Sequence, residues 1–168
     1  GVGAHALARA RLVGPAGHLL LDEPRPVHRR ILRHNLDANA LRGVTLLRRP
    51  AAAGAPDAEP VDGLALARLD CLKIGADMPV DTVLQGAAAT LWRCRPSVFC
   101  AVAGGGAGEV ADCLREFGYR CWLVETPWFD PGNFNRRDAD VTGGRTAQAV
   151  LAGPEERDAP ATGLAELR

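Results

Sequence analysis

The stretch HLLLDEPRP, from His18 to Pro26, constrains the chain more than any other. A short apolar run ends in the carboxylates Asp22 and Glu23 and is then broken by Pro24. An apolar strand that finishes in a carboxylate, shortly after a glycine-containing turn and an alanine-rich helix, is how a doubly wound α/β domain holds the ribose of a nucleoside cofactor. A carboxylate there accepts two hydrogen bonds from vicinal hydroxyls, which a lone amide or hydroxyl does less well. Glu23 is therefore the first candidate binding residue; the plainer alternative is a charge that merely terminates a strand. Asp22 adjoins it and points to the opposite side.

The remaining residues alternate helix and strand signals. Ala4 to Leu12 has helical composition and is stopped by Gly14-Pro15-Ala16-Gly17. After the strand at His18 to Leu21, apolar residues recur at helical spacing from Val27 to Ala40, with Pro26 suited to the first turn. Val44 to Leu47 reads as a strand, and Arg49 to Pro60 as an alanine- and proline-rich loop skirting the sheet edge. Then come a strand at Leu69 to Ile74, a helix at Val80 to Trp92, a strand at Ser97 to Val102 and a helix at Glu109 to Phe117 capped by Gly118. Cys121 to Val124 and Ala147 to Leu151 read as short final strands around an irregular segment. The alternation predicts a doubly wound, mainly parallel Rossmann-like sheet with helices on both faces.

A length of 168 residues with 47% hydrophobic content suits one cored domain, placed at residues 1–153, with residues 154–168 as a flexible tail. Lys plus Arg and Asp plus Glu both number 20, so no net field favours nucleic acid. Arg29, Arg30 and Arg33 read as solvated arginines on a helix face. The five cysteines include no C-x-x-C pair and suit buried free thiols in the cytoplasm. No stretch approaches the ~20 apolar residues of a membrane span. The chain opens on GVGAH with no preceding strand, so the domain is expected to be N-terminally truncated, its central first strand lying upstream. A sheet lacking that strand is expected to associate with another chain or domain.

Of the motifs that bind phosphates, none is complete. Gly1-Val2-Gly3-Ala4 suits a tight turn that lets backbone approach a ligand, but the position three beyond Gly3 is Leu7, so the full G-x-G-x-x-G fingerprint is absent. That absence, with Tyr119 as the only tyrosine, leaves a nicotinamide dehydrogenase poorly supported. In LDCLKIGADMPVD a strand passes through Gly75-Ala76-Asp77 toward a helix starting near Asp81. Asp77 is the nearest group able to reach a ligand there, or else a turn former, with Asp81 as an N-cap. Lys73 orients an acidic substrate or pairs with a carboxylate.

GVGAH followed by ARLVGPAGHLLLDEPRPVHRRILRHNLDANAL, then LDCLKIGAD with VLQGAAATLWRCRPSVFCAV, and late FGYRCWLVETPWFDPGNFN resemble the FkbM-type family of S-adenosylmethionine-dependent methyltransferases, from Gly1 to about Pro154. The resemblance implies S-adenosylmethionine as cofactor, with Gly1 and Gly3 in its loop, Glu23 on the ribose hydroxyls and Gly75 supplying backbone groups. Asn35 and Asn39 would hold helix ends, and Asn133 would lie in the late loop. The departures are Gly1 where the family places aspartate, His5 where it places asparagine, and Gly75-Ala76-Asp77-Met78 where it reads Asp-x-Glu-Gly. Asp77 keeps the glutamate's charge but is roughly 1 to 1.5 Å shorter in reach, a misplacement that can cost about 100-fold in an orientation-controlled reaction.

The expected reaction is methylation of a hydroxyl oxygen on a small-molecule or saccharide acceptor. Asp77 would accept the proton or orient the acceptor, and His5 is the second catalytic candidate, or else a local cap. The rival expectation is a catalytically inactive scaffold or interaction module of the same fold.

Overall fold

The computed structural model describes residues 1–48, 57–158 and 163–167. These group into two compact units, Gly1–Pro60 and Val61–Arg168, where the sequence reads one domain over 1–153. The alanine- and proline-rich stretch Arg49 to Pro60 closes the first unit, but positions 49–56 of that expected loop lie outside the described residues.

In the first unit, α1 (Ala4–Val13) leads to β1 (Leu19–Leu21), α2 (Pro26–Ala38) and β2 (Val44–Leu46). Pro26 occupies the first turn of α2, where its missing N–H has no helical partner to lose. The strands β1 and β2 pair in parallel from Leu19 opposite Val44 to Leu21 opposite Leu46. That is the pairing expected when a helix forms the crossover. The expected elements are therefore present, with ends moved by one or two residues.

The second unit begins with a 3₁₀ turn at Val61–Leu64, followed by β3 (Cys71–Ile74), α3 (Val80–Gln85), α4 (Ala88–Cys94) and β4 (Ser97–Val102). It continues with α5 (Ala107–Arg115), β5 (Tyr119–Pro127), β6 (Thr146–Pro154) and β7 (Ala165–Leu167). The sheet order is β3-β4-β6-β5-β7. Parallel pairing runs from Cys71 opposite Ser97 to Ile74 opposite Cys100. No helix separates β5 from β6, so the chain folds back antiparallel, Tyr119 opposite Pro154 and Pro127 opposite Thr146. The strand β6 also lies antiparallel against β4, Val98 opposite Ala152.

Two expectations change here. The single helix over Val80 to Trp92 is broken at Gly86 and Ala87, whose N–H groups bond to Thr82 and Leu84 carbonyls at 3.1 Å. The expected tail also contributes structure: Pro154 ends β6, and Ala165–Leu167 pairs with β5 through Cys121 opposite Leu167. A bidentate Arg120–Glu166 contact at 2.9 Å crosses that edge pair.

The core of this unit is formed by Leu84, Leu91, Val98, Cys100, Leu114, Val150 and Ala152, all at most 1% exposed. Helix α5 packs on β5 and β6 through Ala107, Ala111 and Leu114, which share one face at spacings of four and three. All five cysteines are free thiols. Burial pushes Cys100 up to about 12 and Cys121 up to about 11, so both are neutral at physiological pH. Among the described residues, no helix is long and apolar enough to cross a membrane.

Candidate functional site

In the Gly1–Pro60 unit, the candidate group gathers where β1 ends. Gly3 is buried, precedes α1 and has φ +112°, a backbone conformation that side-chain-bearing residues rarely adopt. A Cβ at this position would come within 3.0 Å of Leu32 Cδ1. The turn is held from α2, because Asn35 Nδ2 donates to the Val2 carbonyl at 2.7 Å. Asn39 Nδ2 in turn donates to the Asn35 carbonyl at 2.8 Å. Both asparagines thus hold helix ends and loops, as the resemblance implies. We predict that Gly3→Ala lowers stability by roughly 1–3 kcal/mol, since it combines backbone strain with crowding of Leu32; chemical denaturation with circular-dichroism detection measures this.

Glu23 lies two residues beyond β1 and is 1% exposed. Its Oε1 accepts the Arg25 backbone N–H at 3.0 Å and Arg25 Nε at 2.8 Å, while Oε2 accepts Arg25 Nη2 at 3.1 Å. The Gly1 nitrogen also contacts Oε2. His28 Nδ1 is 4.0 Å from Oε2 and is buried without a hydrogen-bond partner. A buried carboxylate needs such donors, and Arg25 provides most of them. The Arg25 side chain is itself 48% exposed, whereas that of Glu23 is buried. Gly1, Gly3 and Glu23 are thus neighbours, whereas His5 sits exposed on the first turn of α1.

In the second unit, Gly75 and Asp77 share the turn that leaves β3, closed by the Met78 N–H on the Gly75 carbonyl at 3.1 Å. A Cβ at Gly75 would come within 3.0 Å of Asp77 Oδ1, so the absence of a side chain lets the Asp77 carboxylate fold back over the turn. Asp77 itself is exposed.

A cavity of about 500 Å³ opens at the carboxyl ends of the parallel strands β3 and β4, lined from Ala76 on one side to Thr146 and Gln148 on the other. This is the strand end at which open α/β sheets bind ligands. A second cavity, of about 470 Å³, involves Arg68, Asp70, Arg93 and Arg157 and lies toward the opposite end of β3.

The sequence reading missed Trp128. It follows Pro127 at the end of β5 and lines the first of these cavities. Its backbone N–H donates to the Arg145 carbonyl at 2.8 Å, and the Arg145 guanidinium lies 3.9 Å from its ring centroid. The segment between β5 and β6 is organised by its own short-range bonds. Asn133 Nδ2 donates to the Asp130 and Arg137 carbonyls at 2.9 and 2.8 Å, and Asp140 Oδ2 accepts the Gly144 N–H at 2.7 Å. A tryptophan immediately after a strand-ending proline was the available signal.

Solved structures similar to this chain include a precorrin-6y C5,15-methyltransferase of Geobacter metallireducens GS-15. It is 18% identical with a TM-score of 0.63, over 92% of this chain and 75% of that one. A SAM-dependent O-methyltransferase of Thermotoga maritima is 20% identical with a TM-score of 0.63, over 95% of this chain and 58% of that one. Methyltransferase FkbM of Methylobacillus flagellatus KT is 15% identical with a TM-score of 0.59, over 88% of this chain and 40% of that one. No protein-family profile and no curated protein matches the sequence. The chain has the Rossmann-like α/β fold of these methyltransferases, as the alternation of its helices and strands predicts, but the sheet is mixed rather than mainly parallel: among the described residues β4–β6, β5–β6 and β5–β7 pair antiparallel, because no helical crossover joins β5 to β6.

Proposed function

We propose that this chain is an S-adenosylmethionine-dependent methyltransferase domain that methylates a hydroxyl oxygen of a small molecule or sugar. The observation that carries the proposal is Glu23, a buried carboxylate at the end of β1 beside a glycine turn whose positive φ at Gly3 favours glycine and where a Cβ would crowd Leu32. These residues fit the cofactor. Glu23 would accept the ribose hydroxyls in place of the Arg25 guanidinium, and Gly3 would let backbone approach. When bound, S-adenosylmethionine supplies an electrophilic methyl group on a positively charged sulfur.

The chain's own part in the chemistry is to hold, orient and deprotonate. Gly1 and Gly75 offer backbone groups only. Asp77 would orient the acceptor hydroxyl and take its proton as the oxygen attacks, a role that needs its carboxylate ionised. His5 remains the second candidate.

Titration calorimetry with S-adenosylhomocysteine tests this. Wild type is expected to bind, Glu23→Gln to bind roughly tenfold more weakly, and Arg25→Ala to bind several-fold more tightly, because the ribose no longer competes with a guanidinium. The second reading, an inactive scaffold, is favoured by the bidentate Arg25 contact that fills both oxygens of Glu23. It predicts no binding by wild type or by Arg25→Ala.

A further inference from the structure

Within the Val61–Arg168 unit, the cavity of about 470 Å³ is lined by three arginines, Arg68, Arg93 and Arg157, and by one carboxylate, Asp70. Strand register brings these residues together from distant parts of the chain. Cys71 lies opposite Ser97 at the start of β3 and β4, and Val98 lies opposite Ala152 near the end of β6. The segment before β3, the end of α4 and the turn after β6 therefore reach the same rim of the sheet, and the Arg157 N–H closes that turn on the Pro154 carbonyl at 3.0 Å.

The charges on this rim do not cancel. Arg68 Nε donates to Asp70 Oδ1 at 2.8 Å, so those two groups offset each other. Arg93 Nη2 donates to the Leu66 carbonyl at 2.7 Å, a neutral acceptor that leaves the guanidinium charge in place. Arg157 has no side-chain hydrogen bond or ion pair among the described residues. The carboxylates that these two arginines influence are committed elsewhere. Asp62 accepts the Ala89 and Thr90 N–H groups at 2.9 and 2.7 Å, and Glu156 accepts Arg95 at 2.7 and 2.6 Å.

One thiol on the cavity wall links the two uncompensated guanidinia. Cys94 Sγ shares the Leu66 carbonyl with Arg93, at 3.9 Å, and Cys94 and Arg157 are both electrostatic neighbours of the Tyr119 phenol. The Tyr119 hydroxyl is buried without a hydrogen-bond partner. Burial pushes it up to about 12, so it keeps its proton at physiological pH. No protein acceptor claims its O–H dipole, which is free to turn toward negative charge held by Arg157.

A phosphomonoester carries roughly −1.5 to −2 charges at neutral pH, which the two free guanidinium charges match. Planar arginine forks also suit phosphate oxygens. The volume exceeds that of a phosphate group and leaves room for an organic part, for which Asp70 Oδ2 is an acceptor not used by Arg68.

We infer that this cavity binds a small hydroxylated phosphomonoester, its phosphate held between Arg93 and Arg157 and a hydroxyl of its organic part donating to Asp70 Oδ2. The site lies toward the end of β3 opposite the Ala76 cavity, and the inference does not rest on the methyltransferase reading.

Titration calorimetry on the full chain at about 0.15 M salt, where loose attraction between exposed charges is screened, tests this with glucose 6-phosphate, glucose, inorganic phosphate and succinate. Glucose 6-phosphate is expected to bind and glucose not to bind, with inorganic phosphate and succinate weaker than the ester by roughly fivefold or more. Arg93→Ala and Arg157→Ala should each weaken the ester by roughly tenfold, whereas Arg33→Ala, which removes the same charge from α2, should leave it unchanged. Tyr119→Phe keeps the ring under Arg95 and should cost about threefold. Asp70→Ala should abolish the preference for the ester over inorganic phosphate. Circular dichroism reports whether each variant is folded. The inference is overturned if glucose 6-phosphate does not bind, if glucose, succinate or inorganic phosphate matches it, or if either folded arginine variant binds like wild type. A single-stranded oligonucleotide that binds more tightly than the ester overturns the assignment to a small molecule.

Discussion

Arg95→Ala is expected to lower the unfolding free energy of the Val61–Arg168 unit by about 3 kcal/mol. Arg95 ends α4 with φ +49°, and its guanidinium donates to the Phe117 and Gly118 carbonyls at 2.6 and 2.8 Å. It also donates to both Glu156 oxygens, at 2.7 and 2.6 Å, and stacks over the Trp92 and Tyr119 rings. Alanine keeps the left-handed backbone strain and discards every contact that offsets it. Lysine keeps the charge but cannot reproduce a planar fork, so Arg95→Lys should recover less than half of the loss. Urea denaturation followed by tryptophan fluorescence measures both variants. The Arg95 hydrogen bond also pulls the Glu156 carboxyl down to about 2. Its contribution is therefore present above the ordinary carboxylate range and is lost as pH falls toward that value.

Asp62→Ala should cost about 2–3 kcal/mol, for a different reason. Asp62 Oδ1 accepts the Thr90 N–H at 2.7 Å and its hydroxyl at 2.6 Å, and Oδ2 accepts the Ala89 N–H at 2.9 Å. The carboxylate thus caps the start of α4 from a turn far away in sequence. Thr90 is 0% exposed, so removing Asp62 leaves its hydroxyl and amide buried without these partners. Asp62→Asn, with one acceptor oxygen, should lose roughly half as much. Burial raises the Asp62 pKa, but the hydrogen bonds from Thr90 and Ala89 outweigh it and the net shift is downward. With a lowered folded-state value, this stabilisation is complete above the unfolded carboxylate value and is lost as pH falls below that value and through the lowered folded one. The wild-type and Asp62→Asn stability curves should therefore converge in acid.

The same contact explains what could and could not be read from the sequence. Periodicity and turn residues located α1, β1, α2 and β2, because each is decided by neighbours in the chain. The break between α3 and α4 was not legible. No proline marks it, and it arises where the Val61–Leu64 turn docks, with the Asp62 N–H on the Gly86 carbonyl at 2.9 Å and its carboxylate on α4. Similarly, β5 and β6 are longer than their hydrophobic runs because each supplies the other with ladder partners through Pro127 opposite Thr146. At the site, residue type was enough to single out Glu23 and Gly3. The Arg25 contact depends on the path of the chain beyond Pro24, and the placement of Trp128 depends on the return from Trp128 to Arg145.

The position of β6 has a kinetic consequence. It lies between β4 and β5, yet it comes after both in the chain. During vectorial synthesis the two flanking strands emerge first and must wait with their inner edges unsatisfied until residues 146–154 arrive to zip them together. Assembly of this half is consequently governed by a late, distant insertion, which slows folding and makes the interval before β6 arrives the period of greatest risk of self-association.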